Sequence, residues 1–190
     1  MKPPNTLQAA PQIEIVDSIS HIPAGDWDKL AGQHPLLSHA FFNALHESGS
    51  ACAATGWTPN YLLLREQGNL IAAMPLYLKS HSYGEYVFDW AWAEAYQRSG
   101  LQYYPKLLSA IPFSPVSANK VLSLNDTSRC MLLDAALRLA KESGVSSFHC
   151  LFPNAAEAAY LQAQGLMIRS GVQFHWQNPG YVSFNDFLNG

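Results

Sequence analysis

The chain has 190 residues, 48% of them hydrophobic and 13% charged, with a formal charge of −3 and a pI near 6.1. That length suits one core, since domains run to about 100–150 residues, and the charge is well under the roughly one quarter usual in soluble domains, so part of the apolar surface is expected to meet a partner. The acidic balance excludes DNA as an expected partner, because binding a phosphate backbone needs clustered Lys and Arg.

Residues 1–12 read as a flexible start. Met1 to Pro11 is polar, contains Pro and lacks the basic-then-apolar order of a secretory signal, so a cytoplasmic location is expected. Ile13 to Val16 alternates as a first strand would. Pro23-Ala24-Gly25-Asp26 opens a short helix containing Trp27 and Leu30, and Ser38 can cap a second helix whose Phe41, Phe42 and Leu45 face inward and which stops at Gly49. Two apolar runs, Tyr61–Leu64 and Leu70–Leu78, flank the polar turn at Glu66-Gln67-Gly68-Asn69 and predict a β-hairpin. Pro75 cannot donate to a ladder, so a bulge or an edge is expected there.

Tyr83 to Gly100 is dense in aromatic residues, with helical character over Trp92–Arg98, and Lys106 to Ile111 reads as a strand. Asn125-Asp126-Thr127 fits a glycosylation sequon but reads more simply as a helix cap, and Asp126 to Ser128 offer a cap for a helix in which Cys130, Leu133, Leu137 and Ala140 recur at helical spacing as far as Ser143-Gly144. Phe148 to Phe152 is a short buried strand, and Asn154 with Glu157 makes a capping-box pattern for a helix reaching Gly165. Met167–Arg169 and Val172–Trp176, separated by Ser170-Gly171, predict a tight strand pair. Residues 13–182 thus form one α/β domain with a mixed, partly antiparallel sheet flanked by helices. Ser183 with Asp186 then starts a helix at 183–190 that stops after about two turns, too short to be stable without packing. A truncated helix leading to a missing second domain is the expectation.

The chemistry is less explicit. No run approaches the roughly 20 apolar residues of a transmembrane helix. Dinucleotide, phosphate-loop, nucleophile-elbow and zinc-helix signatures are missing, and no metal is expected. Cys52, Cys130 and Cys150 are widely spaced in apolar surroundings and read as buried free thiols. His39 and His46 share a helix face but lie about 10 Å apart by helical rise. His149 and Cys150 point to opposite faces of a strand. All four have a structural reading. Asp89, Trp90, Trp92, Tyr96, Tyr103, Tyr104 and Lys106 combine aromatic faces with charge and are the candidates to line a pocket for a polar, elongated ligand, against the simpler reading of core packing.

Phe88-Asp-Trp-Ala-Trp-Ala-Glu-Ala-Tyr96, Tyr103-Tyr-Pro-Lys-Leu-Leu108, Ile111-Pro-Phe-Ser-Pro-Val116, Gln173-Phe-His-Trp176 and Phe184-Asn-Asp-Phe-Leu188 resemble, in that order, the FemAB-like proteins of peptidoglycan biosynthesis and recognition. The resemblance runs from about His34 to the end. It implies a GNAT (N-acetyltransferase) type fold, a cytoplasmic place, and transfer of an acyl or aminoacyl group to an amine, possible donors being acyl-CoA or aminoacyl-tRNA and the acceptor a small molecule or cell-wall precursor. It also implies a carboxy-terminal GNAT-like domain as partner, with this half incomplete alone. The usual CoA signature, [QR]-x-x-G-x-[GA], is met by Gln97-Arg98-Ser99-Gly100 but fails at Gln102, and Gly100 reads better as a helix C-cap. No cofactor is therefore assigned to this half. Ala118-Asn119-Lys120 stands where the family suggests a Gly-Pro-Arg-like turn, and Gln177 and Pro179 replace expected basic residues, which weakens any hold on an anion there. His175, an imidazole in the signature segment, is the candidate base, with Gln173 on the same strand face as a substrate contact. The alternative is a non-catalytic module recognising a polar glycan-peptide through the aromatic cluster.

Overall fold

A computed structural model describes residues 10–189. The flexible start expected for residues 1–12 falls mostly outside that range, as does Gly190.

The frame is one long hairpin. Trp57–Pro59 (β2) and Tyr61–Glu66 (β3) form its first arm, and Asn69–Met74 (β4) and Leu76–Lys79 (β5) its second. Pro75 breaks the second arm as expected, and Asn60 breaks the first opposite it, bridged by Asn60 N–H donating to the Leu76 carbonyl at 2.8 Å. Two consecutive four-stranded ladders result. In the first, Gln12–Val16 (β1) flanks β3, and Leu122–Ser123 (β7) flanks β4, giving the order β1-β3-β4-β7. In the second, Lys106–Ser109 (β6) pairs antiparallel with β5 and parallel with Phe148–Cys150 (β8), giving β2-β5-β6-β8.

Both faces of the sheet are covered, so β3 reads as a continuous apolar run rather than an alternating one. Tyr61 and Leu63 meet Ala24–Ala31 (α1) and His39–Glu47 (α2) through Trp27 and Phe42, whose rings pack edge to face on Tyr61 at 5.5 and 5.9 Å. Leu62 and Leu64 meet Asp126–Glu142 (α4) through Leu132, Leu133 and Ala136, and Leu161 of Ala155–Ala163 (α5) closes that side. Trp90–Arg98 (α3) lies in the segment joining β5 to β6, and Phe184–Asn189 (α6) ends the described chain. Among the described residues, no helix is long and apolar enough to cross a membrane.

Three local expectations need correction. The strand pair at Met167–Arg169 and Val172–Trp176 is not formed: residues 166–178 carry no ladder, and Met167, Val172 and Phe174 are exposed. A two-stranded hairpin is marginal without a third strand or a packed face, and this one lacks both. Of the residues read as a cap for α4, Asn125 serves, its Oδ1 accepting from Ser128 N–H at 2.9 Å, while Asp126 to Ser128 lie inside the helix. The three thiols are free but half-buried.

Candidate functional site

Lys79 and Lys106 are register partners at the outer end of the β5–β6 ladder, and both side chains are fully buried. Two adjacent buried ammonium groups require counter-charge, and the segment after β5 supplies it. Lys106 Nζ donates to Glu85 Oε2 at 2.8 Å, to Asp89 Oδ2 at 2.5 Å and to Ser82 Oγ at 3.1 Å. Tyr103 OH donates to the same Asp89 oxygen at 3.0 Å, while Arg169 Nη1 donates to Asp89 Oδ1 at 2.9 Å. Lys79 Nζ sits 3.7 Å from the Trp57 ring centroid and donates to the Tyr83 carbonyl. His149 of β8 completes the group, its Nδ1 3.8 Å from Asp89 Oδ2.

The ionisation states follow from this packing. Burial would raise the Asp89 carboxyl, but the hydrogen bond and charge of Lys106, with Tyr103 adding, outweigh it and hold Asp89 below its ordinary value. Glu85 is pushed up by burial despite Lys106. Burial, with Lys106 and Arg169 close by, lowers His149 to about 4, so its imidazole is neutral at pH 7. Burial lowers Lys79 to about 8. The result is a nearly balanced ion network that pins the 80–105 segment and the strap after α5 onto the sheet. Lys106 Nζ is engaged by three acceptors at once and is not free for chemistry.

The residues singled out in the sequence divide into two sets. Asp89, Tyr103 and Lys106 come together in the buried network, Tyr104 joins through its OH 2.8 Å from Ser82 Oγ, and Tyr96 packs edge to face on Tyr103 at 5.2 Å. Trp90 and Trp92 stand outside, 45% and 57% exposed. Gln173 and His175 lie on the exposed strap: Gln173 Nε2 donates to the Pro115 carbonyl at 3.0 Å, and His175 Nε2 is 3.2 Å from Gln173 Oε1. They share a side as expected, though in irregular chain rather than on a strand. Sequence reasoning missed Lys79, Ser82, Glu85, His149 and Arg169. The available signal was two lysines at apolar-strand positions, which had to find acids nearby.

A second polar place lies between the end of α1, β7 and the start of α4. A cavity of about 250 Å³ sits there, with His34, Ser117, Asn119, Ser123, Arg129 and Asn154 in its wall. His34 Nδ1 and Ser123 Oγ are buried without a hydrogen-bond partner. Lys120 turns away, its Nζ donating to the carbonyls of Ala118 and Phe152.

A CoA pyrophosphate would need free backbone N–H groups at a helix N-terminus. Asp26 lies in the first turn of α1, and Asp28 Oδ1 accepts from His39 N–H at the start of α2. Asp89 precedes α3, Asn125 and Asp126 occupy the start of α4, and Asn154 and Glu157 that of α5. Glu157 does not close a capping box but accepts from Lys120 N–H and Val121 N–H at 2.7–2.9 Å. Gly100, at φ 72°, ends α3, with Leu101 N–H donating to the Tyr96 carbonyl. The capped starts of α2, α4 and α5 do not fit a CoA pyrophosphate, whereas α1 and α3 carry no side-chain hydrogen bond at theirs. Among the described residues, no cluster of three or more His, Cys, Asp or Glu could hold a metal.

A family model described as FemAB-like, peptidoglycan biosynthesis/recognition, matches residues 18–190. Comparison with curated proteins gives no match. Among solved structures, aminoglycoside N-acetyltransferase AAC(6')-Iy in complex with CoA superposes with a TM-score of 0.53 at 13% identity, covering 93% of this chain and 99% of that one. The same enzyme with a CoA-based bisubstrate analogue gives 0.51 at 14%, covering 90% and 99%. The apo aminoglycoside 6'-N-acetyltransferase AAC(6')-IG from Acinetobacter haemolyticus gives 0.50 at 16%, covering 89% and 99%. At such identities the likeness is one of fold, and the fold is that of the N-acetyltransferases.

Proposed function

This chain belongs to the FemAB-like family, and we propose from that premise that it is the acceptor-holding domain of an N-acyltransferase, working with a second domain that carries the acyl donor. Family and fold support the reaction class. The division of labour is supported by one observation: the N-termini of α2, α4 and α5 are taken up by the chain's own Ser38 with Asp28, Asn125 and Asn154, while a polar cavity with Arg129 in its wall lies open. An acyl-CoA or aminoacyl-tRNA donor would then be held elsewhere, and a cell-wall precursor amine is the acceptor class that the family description suggests. His175 is the proposed base. With Nε2–H donating to Gln173 Oε1, Nδ1 keeps its lone pair for an ammonium proton, and Gln173 fixes the strap at Pro115, two residues before the cavity wall at Ser117.

Calorimetric titration of CoA and acetyl-CoA into the protein tests this. No heat is expected at micromolar concentrations, and a micromolar Kd, about −8 kcal/mol, would place the donor site in this chain and overturn the reading. A second reading, a non-catalytic module for a polar glycan-peptide, is favoured by Tyr83, Tyr86, Phe88, Trp90 and Trp92, which all stand exposed along one short segment. Trp90→Ala should weaken ligand binding under either reading. His175→Ala should remove turnover and spare binding only under the first.

A further inference from the structure

Residues 167–177 run on from α5 as irregular chain without a ladder. A segment stays on a fold through buried apolar contacts or hydrogen bonds, and this strap has few of the former: Met167 and Phe174 are each 97% exposed and Val172 82%. Among the described residues, no backbone hydrogen bond joins it to the body, and its polar contacts there come from two side chains. Arg169 Nη1 donates to Asp89 Oδ1 at 2.9 Å and Nη2 to the Phe88 carbonyl at 3.4 Å. Gln173 Nε2 donates to the Pro115 carbonyl at 3.0 Å. The strap is tied at two points four residues apart, which even an extended chain separates by at most about 14 Å.

The two ties differ in strength. A bond between neutral groups shifts an equilibrium by roughly 2- to 10-fold, and one to an ionised group by on the order of 10- to 100-fold. Asp89 is the ionised partner. Lys106 and Tyr103 occupy its Oδ2, which leaves Oδ1 to Arg169. The pair is also lopsided: the carboxylate is fixed and buried, whereas the guanidinium is 59% exposed. Lifting Arg169 off therefore lets water reach Oδ1 while Asp89 keeps its inner partners, so opening strands no charge. With Arg169 seated, the Gln173 tie closes within one chain and gains from the short span. Without it, a single exposed amide bond has to hold the strap alone.

We propose that Arg169 is a positioning residue, the latch whose bond to Asp89 keeps the strap closed with Gln173 at Pro115 and His175 beside it. This rests on reading His175 as the base, and it adds that the base rides on a lid that opens at Arg169.

NMR relaxation and NOE measurements on the isotope-labelled full chain test the latch without any substrate. In the unaltered protein the amides of residues 168–175 are expected near an order parameter of about 0.8, and a cross-peak should join the Gln173 side-chain amide to Pro115. Arg169→Gln should bring that segment below about 0.6 and weaken the cross-peak at least about threefold, while Lys106, His149 and α4 keep their order. Arg169→Lys keeps the charge and can still reach Oδ1, so it should recover part of both. A strap already below about 0.6 in the unaltered protein would mean that no latch closes it. Unchanged order and cross-peak in Arg169→Gln would give the hold to Gln173, and loss of order through the body would make Arg169 part of the scaffold. No recovery with Lys would show that charge does not hold the strap. Each of these four results overturns the proposal. Retained turnover in His175→Ala would instead sink the base assignment and leave the latch standing.

Discussion

Replacing Lys106 by Met removes the centre of the buried ion network while roughly keeping its volume. Lys106 Nζ serves three acceptors, and the two carboxylates do not lose equally. Asp89 keeps Tyr103 OH on Oδ2 and Arg169 on Oδ1. Glu85 loses its bond at Oε2, and its Oε1 already has no partner. Removing one member of a buried pair costs about 3–5 kcal/mol. Glu85 can escape part of this by taking up a proton, for which burial has already raised its pKa, so the lower end, about 3 kcal/mol, is expected. For a chain of this size that lowers Tm by about 6–12 °C. Urea unfolding followed by Trp fluorescence gives the value, and Glu85→Gln in the Lys106→Met background should recover at least about 1 kcal/mol. The deficit should shrink at pH 5, where Glu85 protonates more easily. A loss under about 1 kcal/mol, or strict additivity of the two changes, would refute the view that Lys106 neutralises Glu85.

Further outcomes follow from single groups. His149 titrates at about 4 in the fold against about 6.5 unfolded. The unfolded chain therefore binds the extra proton between those values, and stability is full above about pH 6.5 and falls towards pH 4, by up to about 3 kcal/mol. His149→Gln should flatten that slope in acid unfolding curves, and an unchanged slope would remove His149 as its source. Tyr77→Phe removes a hydroxyl 3.0 Å from Tyr61 OH but leaves Tyr61 its bond to His46 at 2.8 Å, so a loss of about 1 kcal/mol in urea is expected. Glu157→Gln turns an N–H₂ group towards the Lys120 or Val121 N–H it used to accept from, at a cost of about 1–3 kcal/mol by the same measurement.

The long hairpin was legible because its apolar runs, its polar turn and Pro75 all point to one register. α4 was legible from its 3.6-residue period and its cap only to within Asn125 to Ser128, since Asn and Asp compete for that place on nearly equal terms. The strand pair at 167–176 misled because alternation says which side chains would share a face but not whether a neighbouring strand exists to receive them. At the polar network, Asp89, Tyr103 and Lys106 stood out as charge within an aromatic run. Glu85 and His149 did not, because their meeting depends on how the 80–105 segment folds back across β6 and β8, a contact over tens of residues that local pattern does not encode. The cavity was the least legible part. His34, Ser123 and Arg129 are ordinary surface residue types, far apart in sequence, and only the packing of the turn after α1 beside β7 and α4 brings them to one wall.

Two kinds of buried polar group therefore ask for different experiments. Lys106 is enclosed by its own counter-ions, and a network paired at every group but Glu85 Oε1 is a scaffold: its loss should show in Tm before it shows in any binding constant. Ser123 Oγ is buried with no partner, so removing it releases an unfavourable burial rather than a bond. Ser123→Ala should accordingly leave the protein as stable or slightly more so in urea, and a loss above about 1 kcal/mol would mean that the hydroxyl has a partner after all.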